Sequence, residues 1–126
     1  MVVKGFREMI AVASAVIETV DTAAAMAAHQ AGDAVFVDVR ESHEYAQGHI
    51  PGAVHAPRGF LEFIADPDGP MHKPELSSDR KLMIYCGSGG RSMLAAKTLH
   101  DMGITNVVNV GGGFQGWAGS GGDIER

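Results

Sequence analysis

Three short runs constrain the fold more than anything else in the chain: Val35–Val39, Lys81–Tyr85 and Val107–Val110. The first, VFVDV, is β-branched and apolar at nearly every position. That pattern reads as a strand buried on both faces, because a half-solvated strand would alternate apolar with polar residues. Helical stretches separate the runs. Asp21 or Thr22 caps an Ala-rich helix through Gln30, and Gly32 stops it. Ser42 caps a short helix through Gln47, with Glu44 in its first turn. Phe60–Ala65 reads as one or two helical turns ended by the breakers at 66–70, and Arg91–Met102 as a helix closed by Gly103. Ile17–Val20 and Ala53–Ala56 complete the strands, and a Gly-rich tail follows the last one. Strands alternating with helices predict an α/β fold with about five mainly parallel strands and helices on both faces. Such sheets work beyond the carboxyl ends of their strands, here in the loops after Val39, Tyr85 and Val110.

Length and charge narrow the functions open to such a fold. A chain of 126 residues suits one domain over 1–126, and a formal net charge of −5 without any Lys/Arg run excludes the basic footprint that nucleic acid or anionic membranes require. Lys4 and Arg7 precede an apolar stretch, Met9–Ile17, in the manner of a leader peptide. The A-x-A triplet at Ala11 and Ala13 lies inside that stretch, however, and Glu8 and Glu18 bracket it. Phe6, Met9, Ile10, Ala13 and Ile17 recur at helical spacing, so residues 1–16 read as an amphipathic helix packed on the domain. The single cysteine forms no intramolecular disulfide and fits a reducing compartment, hence a cytoplasmic protein.

That cysteine occupies the most informative segment, Tyr85-Cys86-Gly87-Ser88-Gly89-Gly90-Arg91-Ser92, between a strand and a helix. Three glycines let the backbone take positive φ and turn its N–H groups inward, forming an anion-binding nest at a helix N-terminus. Such surroundings favour thiolate over thiol. Arg91 adds a permanent positive charge for an anionic donor or for the sulfur itself. Cys86 is the candidate nucleophile, and Gly87 to Ser92 the loop that holds the transferred group.

Cys-Gly-Ser-Gly-Gly-Arg at 86–91 resembles the active-site loop of the rhodanese family. Asp38-Val39-Arg40, Glu44-Tyr45 and Gly48-His49-Ile50-Pro51-Gly52-Ala53-Val54 resemble that family's first signature, and Gly111-Gly112-Gly113-Phe114 through Gly116-Trp117 its last. The resemblance implies the three-layer rhodanese fold and a sulfurtransferase without a cofactor. A small sulfane donor such as thiosulfate or mercaptopyruvate loads the cysteine as a persulfide, and cyanide, a small thiol or a protein thiol accepts the sulfur. Phosphatases of the same fold look like Cys-x5-Arg, one residue longer. Here Arg91 follows four intervening residues, and Ser92 stands where the phosphatase arginine would be. The alternatives to sulfur transfer are therefore a phosphatase or arsenate reductase of this fold, and a non-catalytic interaction module. Such modules typically lose the cysteine, which this chain keeps. Gly87 and Ser88 resemble the mercaptopyruvate enzymes, whereas Arg91 resembles single-domain thiosulfate enzymes, toward which the loop leans.

Other residues have plainer readings. Asp38 and Arg40 end a strand on the active side and read as a structural ion pair. Arg58, just past Pro57, reads as solvated rather than bound to a donor anion. His43, His49 and His55 are spaced by six, which matches no helical metal-ligand pair, and no metal is expected. Glycines 111–113 are expected to pack beside the active loop, with Trp117 closing one side of it.

Overall fold

The computed structural model describes residues 1–126. Five strands form one sheet in the order β1-β5-β4-β2-β3: β1 (Glu18–Val20), β2 (Ala34–Asp38), β3 (Val54–His55), β4 (Lys81–Tyr85) and β5 (Val107–Val110). Every neighbouring pair runs parallel. The expectation of a mainly parallel sheet is thus met without exception. β4 lies at the centre, in register Val37↔Ile84 with β2 and Ile84↔Asn109 with β5.

Six helices cover the sheet: α1 (Phe6–Ser14), α2 (Thr22–Ala31), α3 (Ser42–Gln47), α4 (Leu61–Ala65), α5 (Gly90–Asp101) and α6 (Gly113–Gly119). Because successive side chains of a strand point to opposite faces, the core divides in two. Leu82, Ile84 and Cys86 face Ala13 of α1, Leu61 and Ile64 of α4, and Ala95, Ala96 and Leu99 of α5. Met83 and Tyr85 face the other way, onto Phe36, Val108, Val110, Ala25 of α2 and Trp117 of α6.

Several expectations are corrected by the structure. The N-terminal helix spans Phe6–Ser14 rather than 1–16, and Ile17 is buried beyond its end. Only part of its apolar stripe is covered: Ala13 is buried and Ile10 packs against the core, whereas Phe6 and Met9 are exposed. The cap of α3 is Glu41, not Ser42; its side chain and that of Glu44 form a reciprocal capping box. The Gly-rich tail holds α6, for which neither glycine content nor propensity argued, and a short 3-10 turn at Pro74–Ser77 precedes β4. Asp21 caps α2 by accepting from Ala24 N, and Gly32 ends it in the left-handed region, as expected. No helix is long and apolar enough to cross a membrane.

Candidate functional site: the Cys86 loop

The loop from Cys86 leaves the carboxyl end of β4 and enters α5 within four residues. Of its glycines only Gly89 takes positive φ, at 106°, rather than all three as anticipated. A side chain there is doubly excluded, since a Cβ on Gly89 would lie 2.5 Å from Gly111 O. This one left-handed residue turns the chain so that Gly89 N donates to Cys86 Sγ at 3.1 Å. The N–H groups of Ser92 and Ser88 also face the sulfur. Ser92, buried in the first turn of α5, places its hydroxyl 3.4 Å from Sγ. Burial pushes the Cys86 thiol up, but the Ser92 hydroxyl and these three backbone N–H groups outweigh it and hold the thiol below its ordinary value. Cys86 is 1% exposed, while Ser88 and Arg91 beside it reach solvent.

Arg91 does not stand alone. Its two terminal nitrogens donate to both carboxylate oxygens of Glu44, at 2.8 and 3.1 Å, in a fork-to-fork pair. Glu44 Oε1 also accepts from Glu41 N at 3.0 Å, so one carboxylate caps α3 and clamps the arginine of α5. Arg91 holds Glu44 at about 2, well below its ordinary 4.5, against a smaller opposing effect of burial. The clamp keeps the guanidinium over the loop, where a Cβ on Gly87 would lie 3.1 Å from Arg91 Nη2.

From the other side, the Gly-rich segment braces the loop. Phe114 N donates to Cys86 O at 2.7 Å and Gln115 N to Gly87 O at 3.0 Å. The expectation that glycines 111–113 pack beside the loop is therefore met. Trp117 is not there, which corrects its expected position. It lies on the opposite face of the sheet from Cys86, edge-on to His29 and Phe36, and its Nε1 donates to Asp123 O at 2.7 Å.

Asp38 and Arg40 form the buried structural pair expected of them, with Arg40 Nη2 2.8 Å from Asp38 Oδ2. Arg40 also donates to Gly48 O at 2.7 Å and lies 4.4 Å above the Phe114 ring, tying the Gly48–Ile50 segment to α6. Arg58 touches neither loop nor sulfur; it pairs with Glu62 and donates to Thr98 Oγ1. His49 is structural, bridging Tyr45 O and Glu125 Oε1. The largest surface depression, about 600 Å³ around Ala65, Leu76 and Met102, lies at the opposite end of the sheet from Cys86.

Two residues at the site were missed in the sequence. Glu44 is separated from Arg91 by 47 positions, and no local pattern joins them. Asn109 accepts from Ser92 Oγ at 2.6 Å, and it had a signal: it is the one polar residue in the buried run VVNV, so it had to find a buried partner.

Comparison with known proteins agrees with this geometry. The model of the rhodanese-like domain family matches residues 21–120. A sulfurtransferase of Allochromatium vinosum is 37% identical over 86 residues, covering 68% of this chain and 73% of that protein. Human single-domain sulfurtransferase TSTD1 superposes with a TM-score of 0.69 at 26% identity, covering 80% of this chain and 95% of that one. A Rhodopseudomonas palustris CGA009 structure, described as a protein of unknown function and possible tyrosine phosphatase, superposes with a TM-score of 0.94 at 44% identity, covering 99% of this chain and 97% of that one. The match spans 40% and 62% of the length of two Bacillus subtilis (strain 168) relatives, YrkF and YqhL.

Proposed function

The chain belongs to the rhodanese family of sulfurtransferases, and from that membership we propose that Cys86 carries a sulfane sulfur from a thiosulfate-type donor to a thiophilic acceptor. The observation that carries this reading is the set of backbone donors aimed at one sulfur, the Gly89, Ser92 and Ser88 N–H groups, with the Ser92 hydroxyl 3.4 Å from it. The thiolate attacks the outer sulfur of thiosulfate. A Cys86–sulfur bond forms as the bond to the sulfonate sulfur breaks, and sulfite departs with the electron pair. Negative charge then rests on the outer sulfur of the persulfide, within the same nest of N–H groups. Cyanide or a thiolate attacks that atom next, and the Cys86 sulfur leaves as a thiolate, restoring the resting loop. Arg91 retains N–H donors that Glu44 does not use, and they suit the sulfonate of an incoming donor. The proposed setting is the cytoplasm, the acceptor is a small or protein thiol or cyanide, and no cofactor takes part.

Phosphate-ester hydrolysis is the second reading, favoured by the description of the Rhodopseudomonas palustris relative. Two observations weigh against it. The loop from Cys86 to Arg91 is one residue short of the phosphatase spacing, and Ser92 stands where the phosphatase arginine would be. Intact mass separates the readings. Thiosulfate should add the mass of one sulfur atom, cyanide should remove it, and Cys86→Ala should do neither. Turnover of an aryl phosphate without sulfur loading would overturn the proposal.

A further inference from the structure

We propose that Asn109 is a positioning residue for Cys86, acting through Ser92: its side-chain amide decides whether the Ser92 hydroxyl proton points at the sulfur. The proposal rests on the sulfurtransferase reading, in that the sulfur must gain and lose charge in each cycle.

The geometry is a chain of three side chains from three elements. Ser92 Oγ of α5 lies 3.4 Å from Cys86 Sγ and 2.6 Å from Asn109 Oδ1 of β5, and Asn109 Nδ2 lies 3.5 Å from Thr19 Oγ1 of β1. Ser92 and Asn109 are both buried, and no buried side-chain nitrogen or oxygen in the protein lacks a partner. A hydroxyl has a single proton and cannot give it to both neighbours. With Oδ1 toward Ser92, that proton goes to Asn109, and the sulfur is left with the hydroxyl's lone pairs. This arrangement suits a neutral sulfur, either the thiol, whose S–H can donate to Oγ, or the inner sulfur of the persulfide. When Sγ becomes a thiolate, a half-turn of the amide presents Nδ2 to Oγ. The hydroxyl proton then swings onto the sulfur, while Oδ1 accepts from the Thr19 hydroxyl. Only a side chain with a donor at one end and an acceptor at the other serves both states. That accounts for an amide at a position where the strand otherwise carries valines.

Charged groups do not account for the same effect from β5. Those facing Cys86 are Arg91 of α5 and, through it, Glu44 of α3. β5 presents Asn109, and α1 presents Ile10 near Gly90, neither of which titrates.

The test is the rate of Cys86 alkylation by iodoacetamide against pH in four proteins: wild type, Ser92→Ala, Asn109→Leu and the double variant. Ser92→Ala should move the midpoint upward and slow alkylation near pH 6 by roughly tenfold, the usual weight of a hydrogen bond to a charged group, whereas Asn109→Leu, which leaves the Ser92 proton no acceptor but the sulfur, should move the midpoint downward. The double variant should match Ser92→Ala, since Asn109 has nothing left to act through. Additive effects, or an unmoved midpoint in folded Asn109→Leu, would overturn the proposal. Should Asn109→Leu fail to fold, the Asn109 side-chain amide resonance of wild type decides. It should titrate with Cys86, and that titration should vanish in Ser92→Ala; an equal titration in that variant refutes the relay. A wild-type midpoint at the ordinary thiol value would instead remove the activated thiolate of the proposed function, and this inference with it.

Discussion

Substituting Gly113 by alanine should cripple sulfur transfer while leaving the protein folded. Gly113 begins α6 at φ 60°, and a Cβ there would lie 2.5 Å from Gly87 O and 2.8 Å from Cys86 O. Both obstacles are backbone atoms of the reactive loop, so no side chain can swing away. Reaching an ordinary separation of roughly 3.5 Å requires the loop and α6 to part by about 1 Å. That movement stretches the bonds from Phe114 N to Cys86 O, now 2.7 Å, and from Gln115 N to Gly87 O, now 3.0 Å. A displacement of about 1 Å at a reacting atom can cost on the order of a hundredfold in rate.

Stability should fall less dramatically. The left-handed conformation costs an alanine about 1–2 kcal/mol, and overpacking adds about 1–3 kcal/mol. Gly32→Ala supplies the control. It stands at φ 77° with nothing within 4 Å, so it carries the backbone cost without the collision. Thiocyanate formation from thiosulfate and cyanide, alongside thermal melts, reads both quantities. Gly32→Ala should lower Tm with kcat/KM unchanged, whereas Gly113→Ala should lose roughly a hundredfold in kcat/KM. Wild-type kcat/KM in folded Gly113→Ala would refute the claim that α6 sets the position of the sulfur.

Arg91→Ala should raise the KM for thiosulfate by roughly tenfold, about 1.4 kcal/mol, in steady-state kinetics. Glu44→Gln, which leaves Arg91 its whole charge but loosens its clamp, should change the salt dependence of that KM more than its value at low salt. The same pair gives an acid-side stability effect. Because Arg91 lowers Glu44 from 4.5 to about 2, its contribution is full above the unfolded value and lost as pH falls through that interval. Partial exposure limits it to about 1 kcal/mol, so wild type should lose its Tm advantage over Glu44→Gln between pH 5 and 2. Trp117→Phe should cost stability through the lost bond to Asp123 O, yet leave sulfur loading by mass unchanged, since the ring lies across the sheet from Cys86.

The strands were legible because burial on both faces leaves a run with no polar alternation. Lys81–Tyr85 and Val107–Val110 match the structure residue for residue. The loop was legible for a related reason: a thiol, closely spaced glycines and an arginine at a strand-to-helix junction have few other physical uses. Contacts made by closing the sheet were not. Glu44 reads as a helix-start acid, and that reading is right as far as it goes, since it caps Glu41 N. Its second task appears only once the order β4-β2-β3 brings the loop after β2 beside the one after β4.

Trp117 shows how parity governs such errors. The sequence places it a few residues after glycines that do touch the loop, and nearness in the chain suggested nearness to the sulfur. Yet β4 sends Tyr85 to one face and Cys86 to the other, and α6 covers the Tyr85 face. The helix begins against the loop backbone at Gly113, and a single turn later its large side chain is buried under Phe36 and beside His29. Parity also explains why Asn109 reaches Ser92 beside the sulfur. Counting back from Val110, which faces Trp117, the next residue along β5 must face Cys86. Alternation along the last strand therefore puts Asn109 on the face opposite Val108 and Val110, and the packing of Trp117 with those valines identifies that opposite face as the reactive one.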